Sequence, residues 1–172
     1  MRTRKELHGI AVMDVSGGKK LGSVDDLVVA AESGRVLALT LSSGMLGSGT
    51  YVPIEDVRSI GPDAVTVDGE NVVRRDAEMP EEVGAARESS SALVGKKVVT
   101  EAGSLLGTIG DYLIDESARR VTGLVVGGGL LSAQDGLSAD RILSVGPDAV
   151  IVTDEGTEAS GAGQPRSPWA GD

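Results

Sequence analysis

The 172-residue sequence contains no cysteine and no phenylalanine, and aromatic residues make up only 2% of it. Without cysteine the chain forms no disulfide and no thiolate metal site. Without phenylalanine, a core has to be built from Val, Leu, Ile and Ala, which lack the large buried area of an aromatic ring. A unit of roughly 60 residues is only marginally stable by itself. We therefore expect the folded units to lean on each other or on a second chain.

Residues suited to catalysis are also scarce. His8 is the only histidine and precedes the first predicted strand without a partner motif, so a solvated or capping role is expected. The Gly127–Gly129 run leads into no Lys-Ser/Thr pair or helix start, which excludes a phosphate loop. Asp115, Glu116 and Asp140 do not have the spacing of an EF-hand. The sequence predicts a protein that is not an enzyme and has no cofactor or metal ion.

Long apolar runs are absent as well. The charged start, Met1–Leu7, is not followed by the apolar stretch of a secretory signal. No window approaches the ~18 apolar residues of a membrane span. We expect a soluble cytoplasmic protein without a membrane span.

The net charge of −10 is concentrated outside the predicted domains, since residues 76–92 carry −4 and residues 154–172 carry −3. The rest of the chain is near neutral and has no basic stripe, so direct binding to nucleic acid lacks its main source of affinity. The acidic segments favour solubility, and attraction of a basic protein partner is the alternative interpretation.

A tandem repeat organises the chain. The stretch Lys20–Leu41 matches Leu105–Val126 at a constant offset of 85 residues, and Gly61–Val65 recurs unchanged as Gly146–Val150 at the same offset. Each copy contains about six short segments with strand character, bounded by turn residues. The sequence predicts a first repeat at 1–75, an acidic Ala/Ser-rich linker at 76–92 with one helical turn after Pro80, a second repeat at 93–153 and a disordered tail at 154–172, in which Trp169 is either solvated or a short docking motif.

The long second strand of each repeat slips by one residue in its apolar alternation near Asp26 and Asp111. Such a slip predicts a β-bulge, and a carboxylate there is expected to accept the loose backbone N–H groups. In the hairpin turn that follows, Gly34 is free to adopt a positive φ. The second copy has Arg119 at that position, where the same conformation would cost on the order of 1 kcal/mol, so its turn is expected to differ.

The next strand of each repeat alternates. Leu37, Leu39 and Leu41 should face the interior, as should Leu124 and Val126 in the second copy. The opposite side, at Ala38 and Gly123, should face a close neighbour or solvent. An apolar pair in a Gly/Ser-rich loop then follows in each copy, and it either plugs its own barrel or forms an exposed binding tip. These pairs are the candidate protein-interaction residues, namely Met45, Leu46, Leu130 and Leu131.

A family resemblance rests on the run from Gly103 to Asp115, on Arg120-Val121, on Leu124–Val126 and on Val145–Val150. These stretches resemble the PRC-barrel domain. The first copy fits too, with Pro53–Val57 matching the family's proline-containing segment, whereas Ser138–Ile142 has no proline. The resemblance implies an all-β chain of two small antiparallel β-barrels in tandem, each of about six short strands. The family occurs in the photosynthetic reaction-centre H subunit and in a ribosome maturation factor, and it shares no catalytic residues.

We therefore expect a non-catalytic adaptor or scaffold that binds another protein, which is either a basic partner or a second copy in a homodimer. A small-ligand or metal-binding module with a site between the two barrels remains an alternative. By family analogy alone, a ribosome or RNA-maturation accessory factor is a further alternative.

Overall fold

The computed structural model describes residues 1–42, 49–128, 135–154 and 167–169. Fourteen strands and two α-helices lie within these ranges, and the two repeats form two separate seven-stranded sheets. The first repeat contributes β2 to β8, which are Ala11–Asp14, Lys19–Val29, Val36–Ser42, Thr50–Pro53, Val57–Ile60, Ala64–Val67 and Arg74–Arg75. The second contributes β9 to β14, which are Lys97–Thr100, Leu105–Asp115, Arg120–Gly127, Asp135–Ser138, Ile142–Val145 and Ala149–Val152. The remaining elements are β1 (Arg2–Thr3), helix α1 (Arg4–Leu7) and helix α2 (Glu81–Ser91).

The two sheets have the same strand order over the six strands that the repeats share. In the first sheet the order is β6-β7-β2-β3-β4-β5-β8, and in the second it is β12-β11-β10-β9-β14-β13, with β1 added to β10. The expectation of two purely antiparallel barrels is wrong, because β2 pairs with β7 in parallel and so does β9 with β14. Among the described strands, each sheet is an open path rather than a closed ring.

The two repeats share one hydrophobic core. Val12, Leu39 and Val65 of the first repeat belong to the same cluster of buried side chains as Leu124 and Val150 of the second. A repeat of this size is only marginally stable alone, because it buries a small share of the surface of its unfolded chain. The joint core therefore confirms the expectation that the two units lean on each other.

The predicted bulges occur where the apolar alternation slips. Pairing between β3 and β4 shifts between Val24 and Asp26, and pairing between β10 and β11 shifts between Ile109 and Asp111. The pairing of β3 with β4 shifts a second time, between Val28 and Val29. As a result, the Val36 side chain lies in the core shared by the two repeats and Leu37 lies outside it. The predicted inward position of Leu37 is therefore wrong, whereas Leu39, Leu41, Leu124 and Val126 are buried in the core as predicted.

The linker forms a longer helix than the single turn that the sequence suggested. Helix α2 runs for 11 residues directly after Pro80. Its Val83 and Ala86, together with Met79, cover the outer face of the first sheet at Val28, Ala38 and Tyr51. Ala38 thus faces a close neighbour, and the neighbour is the linker.

Candidate binding surfaces

Helix α1 joins the two repeats through the carboxylates at the bulges. Arg4 makes a bidentate ion pair with Asp26, with distances of 2.7 Å from Nε to Oδ1 and 2.9 Å from Nη2 to Oδ2. The backbone N–H of Lys5 donates to Asp111 Oδ2 at 3.4 Å. The hydrogen bond to Asp26 raises the pKa of Arg4 above its already high value. The helix is therefore held to both long strands at equivalent points.

Each bulge carboxylate also accepts a backbone N–H, as the sequence predicted. Asp26 Oδ1 accepts from the N–H of Leu27 at 2.8 Å, and Asp111 Oδ1 accepts from the N–H of Tyr112 at 2.9 Å. His8 is the C-terminal cap of α1, and its Nδ1 lies 2.7 Å from the carbonyl oxygen of Asp25. These groups stabilise local backbone, which is the structural role expected of them.

Tyr112 occupies the position that Leu27 has in the first repeat. Its side chain is fully buried, and its hydroxyl has no hydrogen-bond partner in the part of the chain that the structure describes. Burial, reinforced by the nearby Asp26 carboxylate, raises the pKa of this phenol. The hydroxyl is therefore neutral at physiological pH.

The two repeats meet at a seam with approximate twofold symmetry. Arg35 and Arg120, which are equivalent residues of the two copies, form an antiparallel β-bridge with each other. On one side of the bridge the N–H of Val36 donates to Arg119 O at 2.9 Å, and on the other the N–H of Val121 donates to Gly34 O at 2.8 Å. The offset of 85 residues converts Arg35 into Arg120 and each of these two hydrogen bonds into the other, so the seam lies on a pseudo-twofold axis.

Arg119 closes one side of this seam. Its φ of 55° lies in the left-handed region, close to the 69° of Gly34, so the equivalent residue has the same left-handed conformation in both turns. The expected difference between the two turns is therefore wrong at this position. The Arg119 guanidinium donates to Ile54 O and to Val57 O of the first repeat, each at 2.7 Å. These charge-assisted bonds offset the strain of a non-glycine residue at positive φ.

Trp169 closes the other side. Gly34 has no side chain, and the Trp169 indole lies directly against its backbone. A Cβ added at Gly34 would be 2.6 Å from Trp169 Cε3. The indole Nε1 donates to Ala31 O at 2.8 Å, and Arg120 Nη2 donates to Trp169 O at 2.7 Å. Only 2% of the Trp169 surface is exposed. We call the surface formed by Ala31, Gly34, Arg120 and Ala139 the tryptophan groove.

The serine that precedes this tryptophan by two residues completes the contact. Ser167 Oγ donates to Ala139 O at 2.9 Å and accepts from the N–H of Trp169 at 3.1 Å. Of the two interpretations of Trp169, the solvated one is wrong, and the docking motif is the one that the structure shows. For 167–169 the expected disorder is therefore wrong as well, whereas 155–166 and 170–172 lie outside the described residues.

A cleft of about 660 Å³ opens beside the tryptophan groove, between the repeats. Its lining includes the two arginines Arg35 and Arg120 and the two aspartates Asp115 and Asp140. Asp115 Oδ1 accepts from the N–H groups of Ser117 and Ala118, each at 2.9 Å. Within the described ranges, no group of three or more His, Cys, Asp or Glu side chains is placed to hold a metal ion.

The outer face of the second repeat carries no helix among the described residues. At the positions of Val28, Ala38 and Tyr51 in the first repeat, the second has Leu113, Gly123 and Gly136. Leu113 is partly exposed, as is the neighbouring Val125, and Gly136 is open to solvent. An added Cβ at Gly136 would contact nothing within 4 Å, so the face has open space where the Tyr51 side chain stands in the first copy. We call this surface, formed by Leu113, Gly123, Val125 and Gly136, the second outer face.

The four interaction residues predicted from the sequence, Met45, Leu46, Leu130 and Leu131, lie outside the described residues. Arg119 and Arg120 are not among the functional residues predicted from the sequence, although the offset of 85 places Arg119 at the position of Gly34. An arginine replacing a turn glycine in one copy was the available signal for an asymmetric seam.

No described helix is long and apolar enough to cross a membrane. Two repeats that share six strands in the same order, a bulge at the same place in each long second strand and a joint core define a tandem β-repeat protein. The PRC-barrel domain family model matches residues 1–73 and again residues 87–157. The chain belongs to the PRC-barrel domain family and contains two tandem copies of the domain. A search of curated proteins finds no match.

Proposed function

We propose that the protein is a non-catalytic adaptor that holds a helical segment of a partner protein on its second outer face. The observation that carries this proposal is that a helix covers the equivalent face of the first repeat. In the first repeat, the face at Val28, Ala38 and Tyr51 is buried under α2. The second repeat has the same backbone arrangement, with a partly exposed apolar surface in place of a buried one.

The residues of the second outer face favour a particular kind of partner segment. Helix α2 contacts the first face through Val83 and Ala86, which are small enough to let a helix approach a sheet closely. The second outer face has glycine at two of three equivalent positions, so it admits an equally close helix and has open space for one bulky side chain beside Gly136. Apolar anchors that fill a pocket carry most of the energy of such an interface. The net charge of −10 favours a partner segment of positive charge.

The candidate tips adjoin this surface in the sequence. Leu130 and Leu131 lie in the connection between β11 and β12, which leads directly to Gly136. We propose that they extend the contact with the partner and that Met45 and Leu46 supply a second contact. Replacing Leu130 and Leu131 with serine should then weaken partner binding while the melting temperature stays nearly unchanged. A loss of ~2 kcal/mol or more would instead indicate buried leucines.

A photo-crosslinking experiment tests the adaptor proposal. A benzophenone amino acid at Val125 should crosslink to a discrete partner in cells, whereas the same residue at Leu105 should not. Leu105 is a fair control because it is also a surface apolar residue, 44% exposed, at the far end of β10. Val125→Asp should abolish capture and Leu105→Asp should retain it, with both variants folded by circular dichroism. Equal crosslinking from both positions would contradict the proposal.

A small anionic ligand in the inter-repeat cleft is the second candidate function. The Arg35 guanidinium makes no hydrogen bond or ion pair with the described residues, and Arg120 contacts only carbonyl oxygens there. Two guanidinium groups that form no ion pair with the described residues suit a carboxylate or phosphate, which would compete with the nearby Asp115 and Asp140 carboxylates. A thermal-shift screen of small carboxylates and phosphates should give hits that Arg35→Ala removes. Hits that survive this change would place the ligand elsewhere.

A further inference from the structure

On the two sides of the seam, equivalent backbone carbonyl groups accept hydrogen bonds from different side chains. On one side, the carbonyl of Ile54 accepts from the Arg119 side chain at 2.7 Å. On the other side, the equivalent carbonyl, that of Ala139, accepts from Ser167 Oγ at 2.9 Å. Position 34 is glycine, so the first repeat has no side chain of its own to reach Ala139. The tryptophan groove exists because the arginine present in one copy is missing from the other.

The groove has the features of a built recognition site. Its carbonyl acceptors, at Ala31 and Ala139, point at the indole N–H and the serine hydroxyl, and its Arg120 holds the backbone carbonyl of the tryptophan. Gly34 provides a flat contact that any larger residue would obstruct. Side chain, hydroxyl and backbone of a short segment are therefore each recognised by a separate group. Such a combination of an aromatic anchor with fixed polar contacts is typical of peptide-binding sites.

The occupant is joined to the second repeat only through a stretch without bulky apolar residues. Residues 155–166 contain no Val, Leu, Ile, Met, Phe, Tyr or Trp. We propose that the tryptophan groove is a peptide-binding site for a Ser-Pro-Trp segment, which the chain fills with its own residues 167–169 and which a second copy's segment fills in trans. Tethering gives the chain's own segment an effective concentration on the order of mM, so binding in trans requires an empty groove.

The full chain with Trp169→Ala provides that empty groove. Because Trp169 is the only tryptophan, this variant is free of tryptophan fluorescence. The probe is a synthetic peptide of residues 165–172, Pro-Arg-Ser-Pro-Trp-Ala-Gly-Asp, whose single indole reports its own burial. On titration with the variant, its emission should shift to shorter wavelength and its anisotropy should rise. If Trp169→Ala does not fold, Trp169→Leu is equally free of tryptophan, and the peptide then has to displace only the smaller leucine from the groove.

Two glycine substitutions form a matched control. Gly34→Ala, added to the Trp169→Ala chain, places a methyl group where the indole lies and should weaken peptide binding at least about tenfold. Gly18→Ala introduces the same kind of strain, because φ is 64° there and 69° at Gly34, but its added Cβ contacts nothing within 4 Å. It should leave binding unchanged. A peptide with its serine replaced by alanine should bind about three- to tenfold more weakly, because Ala139 O loses its donor.

Binding in trans between two copies is tested by mixing a donor with an acceptor. Gly34→Ala has a blocked groove and a free tryptophan segment, and Trp169→Ala has an empty groove and no tryptophan. Their mixture should form a heterodimer in sedimentation, whereas neither variant mixed with the Gly34→Ala/Trp169→Ala double variant should. The proposal is overturned if the peptide emission stays unshifted up to about 1 mM, which is the order of the effective concentration of the tethered segment. It is also overturned if peptide binding survives Gly34→Ala.

Discussion

Arg119 is the residue whose replacement tests the seam most directly, because it combines a strained backbone with strong side-chain bonds. Its φ of 55° is unfavourable for any residue other than glycine. Its guanidinium bonds to Ile54 O and Val57 O, each at 2.7 Å, connect the hairpin of the second repeat to the first. Replacement with alanine removes the bonds and keeps the strain. Replacement with glycine removes both.

The two replacements should therefore differ in a defined way. A hydrogen bond to a charged group contributes about 1.5 kcal/mol at the lower end of its range, which suits a partly exposed site, so Arg119→Ala should lose about 3 kcal/mol of unfolding free energy. Arg119→Gly releases about 1 kcal/mol of strain and should lose only about 2 kcal/mol. Urea denaturation of both variants measures these values, provided the slope of the transition stays unchanged.

Arg35 is the matched control, since it is the equivalent of Arg120 in the same seam and is exposed. Arg35→Ala should change stability by less than about 0.5 kcal/mol. If Arg119→Gly is as stable as the parent protein, the two hydrogen bonds to carbonyl groups contribute nothing to stability. If Arg119→Ala is the more stable of the two variants, the turn is unstrained, and either result contradicts the prediction.

Three further outcomes follow from single buried or charged groups. Leu124→Asp should unfold both repeats in one transition and cost several kcal/mol, because Leu124 is fully buried in their joint core, and two separate melting steps would contradict that core. Tyr112→Phe should keep or raise the melting temperature, because the hydroxyl it removes has no partner among the described residues, and a loss above about 1 kcal/mol would reveal one. Burial opposes the lowering of the Glu116 pKa, but the Arg2 side chain and the N-terminus outweigh it and hold that pKa below 4.5. The extra stability of the parent over Glu116→Gln should therefore be complete above about pH 4.5 and disappear as the pH falls through the lowered pKa, and a difference that persists at pH 2 would contradict this ion pair.

Repetition within the chain made much of the fold predictable. The constant offset of 85 residues located both copies of the repeat and their six strands. The slipped alternation located both bulges and gave Asp26 and Asp111 their roles as backbone acceptors. These features are set by local sequence, because a period-2 pattern in which one residue is out of phase has few other structural solutions.

The features that escaped prediction depend on contacts between segments distant in the chain. Nothing near β2 and β7 in the sequence signals that they pair in parallel. Leu37 was placed inward because the shift at Val28–Val29, on the neighbouring strand, is not visible in the alternation of β4 itself. Trp169 stands among Gly, Ser, Pro and acidic residues, so its composition predicted a solvated tail, whereas its burial depends on Gly34, which lies 135 positions earlier.

The asymmetry between Gly34 and Arg119 leads to a last prediction, in which the first repeat is given the arginine of the second. In Gly34→Arg, the new side chain should displace Trp169 and reach Ala139 O, as Arg119 reaches the equivalent carbonyl of Ile54 at 2.7 Å. Trp169 emission should then move to the wavelength of a solvent-exposed indole. Stability should stay within about 1 kcal/mol of the parent, because the guanidinium bonds offset the strain at position 34.

Gly34→Ala should displace the indole equally but lose that compensation, so its melting temperature should fall further. In the Gly34→Arg background, Trp169→Ala should be neutral. If Trp169 stays buried in Gly34→Arg, or if Trp169→Ala is as costly there as in the parent, the tryptophan segment is not the counterpart of Arg119, and the two sides of the seam are stabilised by unrelated contacts.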